Sequence, residues 1–70
     1  MAKMDAQLID TMRSALEEVM RKIPLEYSTS STKAYLAECI LKAAAQGHTT
    51  FDELVAAAAD QIQAAMSLFV

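Results

Sequence analysis

The chain has one glycine, one proline, one cysteine and no tryptophan, and only four of its seventy residues are Phe or Tyr. Each shortage excludes something. A single Gly cannot build the glycine-rich loop that cradles phosphates, so nucleotide binding of the P-loop or dinucleotide type is excluded. A single Cys cannot close an intrachain disulfide, which fits a reducing compartment, and the expected location is cytoplasmic. Gly and Pro together supply little turn-forming material. β-branched and aromatic residues never alternate with polar ones over a strand-length run, which argues against strands. Long apolar runs are missing as well. The longest stretch without a charged side chain is Gln61 to Val70, ten residues, against the roughly 20 that a membrane-spanning helix needs. Lys3, Asp5 and Asp10 fall where the apolar section of a signal peptide would have to lie, so no secretion signal is expected.

What the chain does have is alanine and charge. Hydrophobic residues make up 54% of it, but fourteen of them are Ala, which promotes helix and buries little surface. A single core in a chain of this size is marginal unless another chain, a metal or a disulfide contributes. The net charge of -3 is unevenly placed. Residues 1–42 hold all six bases, Lys3, Arg13, Arg21, Lys22, Lys33 and Lys42, balanced by six acids, whereas residues 43–70 hold only Asp52, Glu53 and Asp60.

Three helices are predicted, over about 5–22, 30–46 and 51–67. In the first, Leu8, Ile9, Met12, Ala15, Leu16, Val19, Met20 and Ile23 share an arc of roughly 140°, with Asp10, Glu17, Glu18 and Arg21 opposite. Within it Ile9, Met12, Leu16, Val19 and Ile23 form a seam of alternating steps of three and four, as packing into a neighbouring helix requires. Asp5 is a candidate cap, residues 1–4 are expected to fray, and Glu17–Arg21 and Glu18–Lys22 are i,i+4 pairs in the favourable order. Pro24 disfavours helical geometry at Ile23, and Ser28, Thr29, Ser30 and Ser31 are all acceptable caps for the next helix.

The second helix is apolar over roughly 220°, through Ala34, Leu36, Ala37, Cys39, Ile40, Leu41, Ala43 and Ala44. A helix that apolar touches neighbours on more than one side, so it is expected to be central. Gly47 can supply the left-handed residue that ends it. Thr50-Phe51-Asp52-Glu53 matches the S/T-x-x-E capping box and starts the third helix. The stripe of that helix, about 120° wide, is Phe51, Leu54, Val55, Ala58, Ile62, Ala65, Met66 and Phe69.

The chemical constellations are weak. Cys39 and His48, the single Cys and the single His, give two soft ligands where a zinc site needs three or four, and no metal is expected. A thiol nucleophile needs a base at hydrogen-bond distance, and His48 lies nine residues further along the chain in a loop. The acid pairs Glu17/Glu18 and Asp52/Glu53 are adjacent in sequence and so point to different sides of a helix. Ser31-Thr32 does not supply the Asp-Ser-Leu attachment site of the acidic carrier proteins. No catalytic residue, cofactor or small-molecule substrate is indicated, and no enzymatic role is expected. Met12, Met20 and Met66 lie on helical stripes, where core packing is the ordinary role.

Ile40-Leu41-Lys42-Ala43 through Gly47-His48-Thr49-Thr50 to Glu53-Leu54 resembles the middle of a helix-turn-helix over about fifteen residues. The reading helix would then carry Asp52, Glu53 and Asp60 and no base, and phosphates would repel it, so nucleic-acid binding is disfavoured. More broadly, Thr11-Met12-Arg13-Ser14-Ala15-Leu16, Ile40-Leu41-Lys42-Ala43-Ala44-Ala45 and Asp60-Gln61-Ile62-Gln63 together resemble short bacterial all-helical proteins with no assigned activity. The resemblance implies a helical fold and carries over no site residue.

The expectation is one all-α domain over 1–70, a three-helix bundle with helix 2 central, acting as a protein–protein interaction module that dimerises or binds another helical protein. The candidate interface is Leu36, Ile40, Phe51, Met66, Leu68 and Phe69. The alternative is a small nucleic-acid-binding regulator using Arg13, Arg21, Lys22 and Lys33.

Overall fold

The computed structural model describes residues 6–68, and these form helices with no strand among them. The order is α1 (Ala6–Arg21), a short 3₁₀ turn (Leu25–Tyr27), α2 (Ser30–Ala45), α3 (Phe51–Ala59) and α4 (Ile62–Leu68). Asp5 as a cap, the fraying expected of residues 1–4 and the end of the third stripe at Phe69 lie outside the described residues.

Local chemistry sets each boundary. At the end of α1 the Lys22 and Ile23 amides bond three residues back, to Val19 and Met20 carbonyls at 3.0 and 3.3 Å, which tightens the last turn. Pro24 follows in an extended conformation, φ -54° and ψ 143°, and the chain cannot continue as helix. Of the four hydroxyl residues able to cap α2, Thr29 is the one used: its Oγ1 accepts the Thr32 amide at 3.2 Å. It also donates to the Thr32 hydroxyl, at 3.2 Å, and Thr32 is fully buried. The cap therefore also satisfies a core hydroxyl that would otherwise be costly to bury.

Helix α2 ends in a Schellman motif. The Gly47 amide bonds the Ala44 carbonyl at 3.1 Å and the His48 amide reaches back to Ala43 at 3.0 Å, around a glycine at φ +101°. Three residues later the capping box is complete: Thr50 accepts the Glu53 amide, and Glu53 accepts the Thr50 amide.

One expected element divides. The third helix, expected unbroken over 51–67, is interrupted at Asp60 and Gln61, giving α3 and α4. There the Gln61 amide bonds Ala58, three residues back, at 2.9 Å, and the Tyr35 hydroxyl of α2 donates to Gln61 Oε1 at 3.1 Å. No Gly or Pro marks the break, and the apolar spacing Ala58, Ile62, Ala65 runs straight across it. The stripe is kept while the helix is not. Beyond the break α4 packs on α2, with Ala65 fully buried.

The expected ion pairing on α1 also changes. Arg21 bonds Glu18, one turn away at i,i+3 and 3.0 Å, rather than Glu17.

The core consists of Met12, Ala15, Val19 and Ile23 from α1 and its end, Leu36, Ile40, Ala43 and Ala44 from α2, Leu54 and Ala58 from α3, and Ala65 from α4. Helix α2 packs against each of the other three, while the most extensive helix pair is α1 with α3. With that pairing goes a shift in the face of α1. Ala15 is fully buried, whereas Ile9, at the start of the expected seam, is exposed. On the helix wheel the two lie about 120° apart. Ala15 and Val19 turn into the core and the Ile9 side is left open. Ala15 on α1 and Ala58 on α3 are both fully buried, and small side chains permit close helix approach.

Candidate interaction surface

The open side of α1 meets α2 in a groove of about 360 Å³. Ile9 and Leu16 form one wall and Ala37 and Leu41 the other, with Met12 and Ile40 at its floor. Ile9 and Leu41 are the exposed large side chains, at 43% and 45%. Because they line one groove they form a continuous apolar surface, which carries more meaning than singly scattered apolar residues. Arg13, Glu17 and Lys33 complete the lining.

Two further grooves are more polar in character. One lies between the end of α1 and the start of α2, lined by Glu17, Met20, Arg21, Ser28, Thr29, Ser30 and Lys33. The other lies between α2 and the α3–α4 turn, lined by Tyr35, Cys39, Lys42, Gln46 and Gln61 among others. Cys39 is half-buried there, and its burial, the largest influence, raises the thiol pKa above the ordinary value, partly offset by the Lys42 charge. A raised thiol pKa means less thiolate at neutral pH and a poorer nucleophile. His48 is exposed, and its Nδ1 lies 3.4 Å from Glu53 Oε2 at the start of α3. Among the described residues no three His, Cys, Asp or Glu side chains are grouped so as to hold a metal ion. No helix among them is long and apolar enough to cross a membrane.

The sequence-derived interface residues fall into two sets. Leu36 and Ile40 are core residues, at 0% and 2% exposure, and Ile40 also lies at the floor of the groove. Their neighbours on the same apolar arc, Ala37 and Leu41, form the groove's α2 wall. Phe51 is exposed at the start of α3, Leu68 is exposed at the end of α4, and Met66 is half-buried. Phe69 lies outside the described residues. Of the four bases in the alternative reading, Arg13 and Lys33 line the apolar groove, Lys33 also lines the more polar groove beside Arg21, and Lys22 is exposed in the turn after α1.

Sequence reasoning missed Ile9 and Leu41 as surface residues. The signal available was the width of the α2 arc, which exceeds what two neighbours cover. It does not say which edge of the arc stays open, because that depends on how the helices are rotated against one another. Leu25, exposed at 91% on the 3₁₀ turn, also carried no periodic signal.

Compared with family models, with curated proteins and with solved structures, the chain matches none.

Proposed function

We propose that this protein is a small helical interaction module that self-associates and works in a reducing, cytoplasmic setting, without catalysis of its own. The observation that carries the reading is the apolar groove between α1 and α2, flanked by the exposed Ile9 and Leu41. A chain of seventy residues has little core to spare, yet it leaves Ile9, Leu41, Phe51 and Leu68 in contact with water. Covering such surface with a second chain adds apolar burial that the monomer lacks, at roughly 25 cal/mol per Å² before the cost of association.

Sedimentation equilibrium from 1 µM to several hundred µM tests the proposal. The expected result is a concentration-dependent rise from monomer mass towards dimer mass. A monomer over the whole range, with a cooperative thermal melt, would overturn it.

A further inference from the structure

The groove between α1 and α2 carries both signs of charge as well as apolar walls, and among the described residues these charges form no ion pair. Among the described residues the ion pairs are Arg21–Glu18 and His48–Glu53. Arg13, Glu17 and Lys33, all exposed and all lining the groove, take part in neither. Arg13 and Glu17 stand one turn apart on α1, and Arg21, the basic residue one turn further on, is engaged by Glu18. A surface with an apolar centre, an unpaired acid on α1 and an unpaired base opposite it on α2 is complementary to itself under a two-fold axis running along the groove, which sets α1 of one chain over α2 of the other and brings Glu17 towards the partner's bases.

We infer that the occupant of this groove is the same groove of a second copy, so that α1 and α2 of two chains form a four-helix contact with Ile9, Leu16, Ala37 and Leu41 at its centre and Glu17 of each chain facing Arg13 and Lys33 of the other. The inference rests on the self-association proposed above and assigns its surface. Helices α1 and α2, at sixteen residues each, run for about 24 Å at 1.5 Å per residue, so the contact is a long face rather than a point. The pairs lie at its rim, where they set register and orientation more than affinity and weaken with added salt.

The test is a set of charge variants read by sedimentation, with circular dichroism confirming helical content. Glu17→Lys makes the rim all-positive, and Arg13→Glu with Lys33→Glu makes it all-negative. Each alone is expected to raise the dimer dissociation constant by about tenfold or more. Mixed in equal amounts, they are expected to associate with each other more tightly than either does with itself. Leu41→Glu, at a half-exposed site that tolerates charge in the monomer, is expected to abolish association. If the wild-type chain dimerises and Glu17→Lys and Leu41→Glu dimerise equally well, the dimer uses another surface and the inference is overturned while self-association stands. A mixture of the two charge variants that stays monomeric also overturns it. A monomeric wild-type chain defeats the self-association reading itself.

Discussion

The Tyr35 hydroxyl on α2 donates a 3.1 Å hydrogen bond to Gln61 Oε1 in the turn between α3 and α4, joining residues twenty-six apart in sequence. It is the side-chain link that ties the break in the third helical stripe to the central helix. A partly buried hydrogen bond of this kind contributes about 0.5–1.5 kcal/mol. Tyr35→Phe is therefore expected to lower stability by about 1 kcal/mol while keeping the ring packed, and Gln61→Leu by a similar amount. Because both changes remove one interaction, the double variant should lose less than the sum of the two. Urea denaturation of the four proteins checks this, and strict additivity would show that the bond contributes nothing.

Gly47 sits at φ +101°, and a Cβ built on it meets nothing within 4 Å. The cost of a side chain there is thus a backbone cost alone. Gly47→Ala is expected to destabilise by about 1–2 kcal/mol, and Gly47→Asn by less, since Asn visits left-handed geometry more readily. Thermal melts followed by circular dichroism would give the order Gly, Asn, Ala from most to least stable.

How much of this was legible in the sequence depends on whether the deciding chemistry was local. Pro24, Gly47 and Thr50-Phe51-Asp52-Glu53 act on residues within one turn of themselves, and the boundaries they imply are those found. The serine and threonine cluster was legible as a cap, but choosing Thr29 required the buried Thr32 hydroxyl as its second partner, and that burial is a tertiary fact. The break at Asp60 and Gln61 was not legible at all. Its i−3 hydrogen bond and the Tyr35 contact come from α4 folding onto α2, and the three-four spacing of Ala58, Ile62 and Ala65 is the same for a straight helix as for a broken one. Leu36 and Ile40, candidate interface residues from the sequence, are buried within the chain for a related reason. A 220° arc says that part of the helix remains open, while the way the helices are rotated against one another decides which part.

Leu36 and Leu41 divide that arc energetically. Both are leucines on α2, but Leu36 is fully buried and Leu41 is 45% exposed. Truncating a buried leucine to alanine costs about 2–5 kcal/mol through lost transfer energy and the cavity left behind, whereas a half-exposed one loses only the covered part. Leu36→Ala is expected to remove much of the total stability, which for a chain of this length is on the order of 4–10 kcal/mol. Leu41→Ala is expected to cost under about 1 kcal/mol at a concentration where the chain is monomeric. Chemical denaturation at 1 µM separates the two. Equal losses would mean that α2 is rotated relative to the arrangement described.

Glu53 supplies the pH dependence of the α3 start. Its carboxylate accepts from the Thr50 hydroxyl at 3.0 Å and the Thr50 amide at 3.3 Å, and it lies 3.4 Å from His48 Nδ1. The Thr50 side chain, followed by His48, holds its pKa below the usual glutamate range. A carboxyl depressed on folding binds its proton more readily in the unfolded chain, so its contribution is fully present above the ordinary value of about 4.3. It is lost as the pH falls through the lower folded value. Glu53→Gln keeps a side chain able to close the capping box but has no proton to bind. The variant is therefore expected to flatten the fall in melting temperature below about pH 4.3 and to leave the slope above that pH nearly unchanged. His48→Ala removes the third contact to the carboxylate while leaving both Thr50 contacts in place, and so is expected to bring the Glu53 pKa closer to its ordinary value. Melting curves taken every half unit from pH 2.5 to 7 decide the matter, and identical acid limbs for wild type and Glu53→Gln would show that the box is held by Thr50 alone.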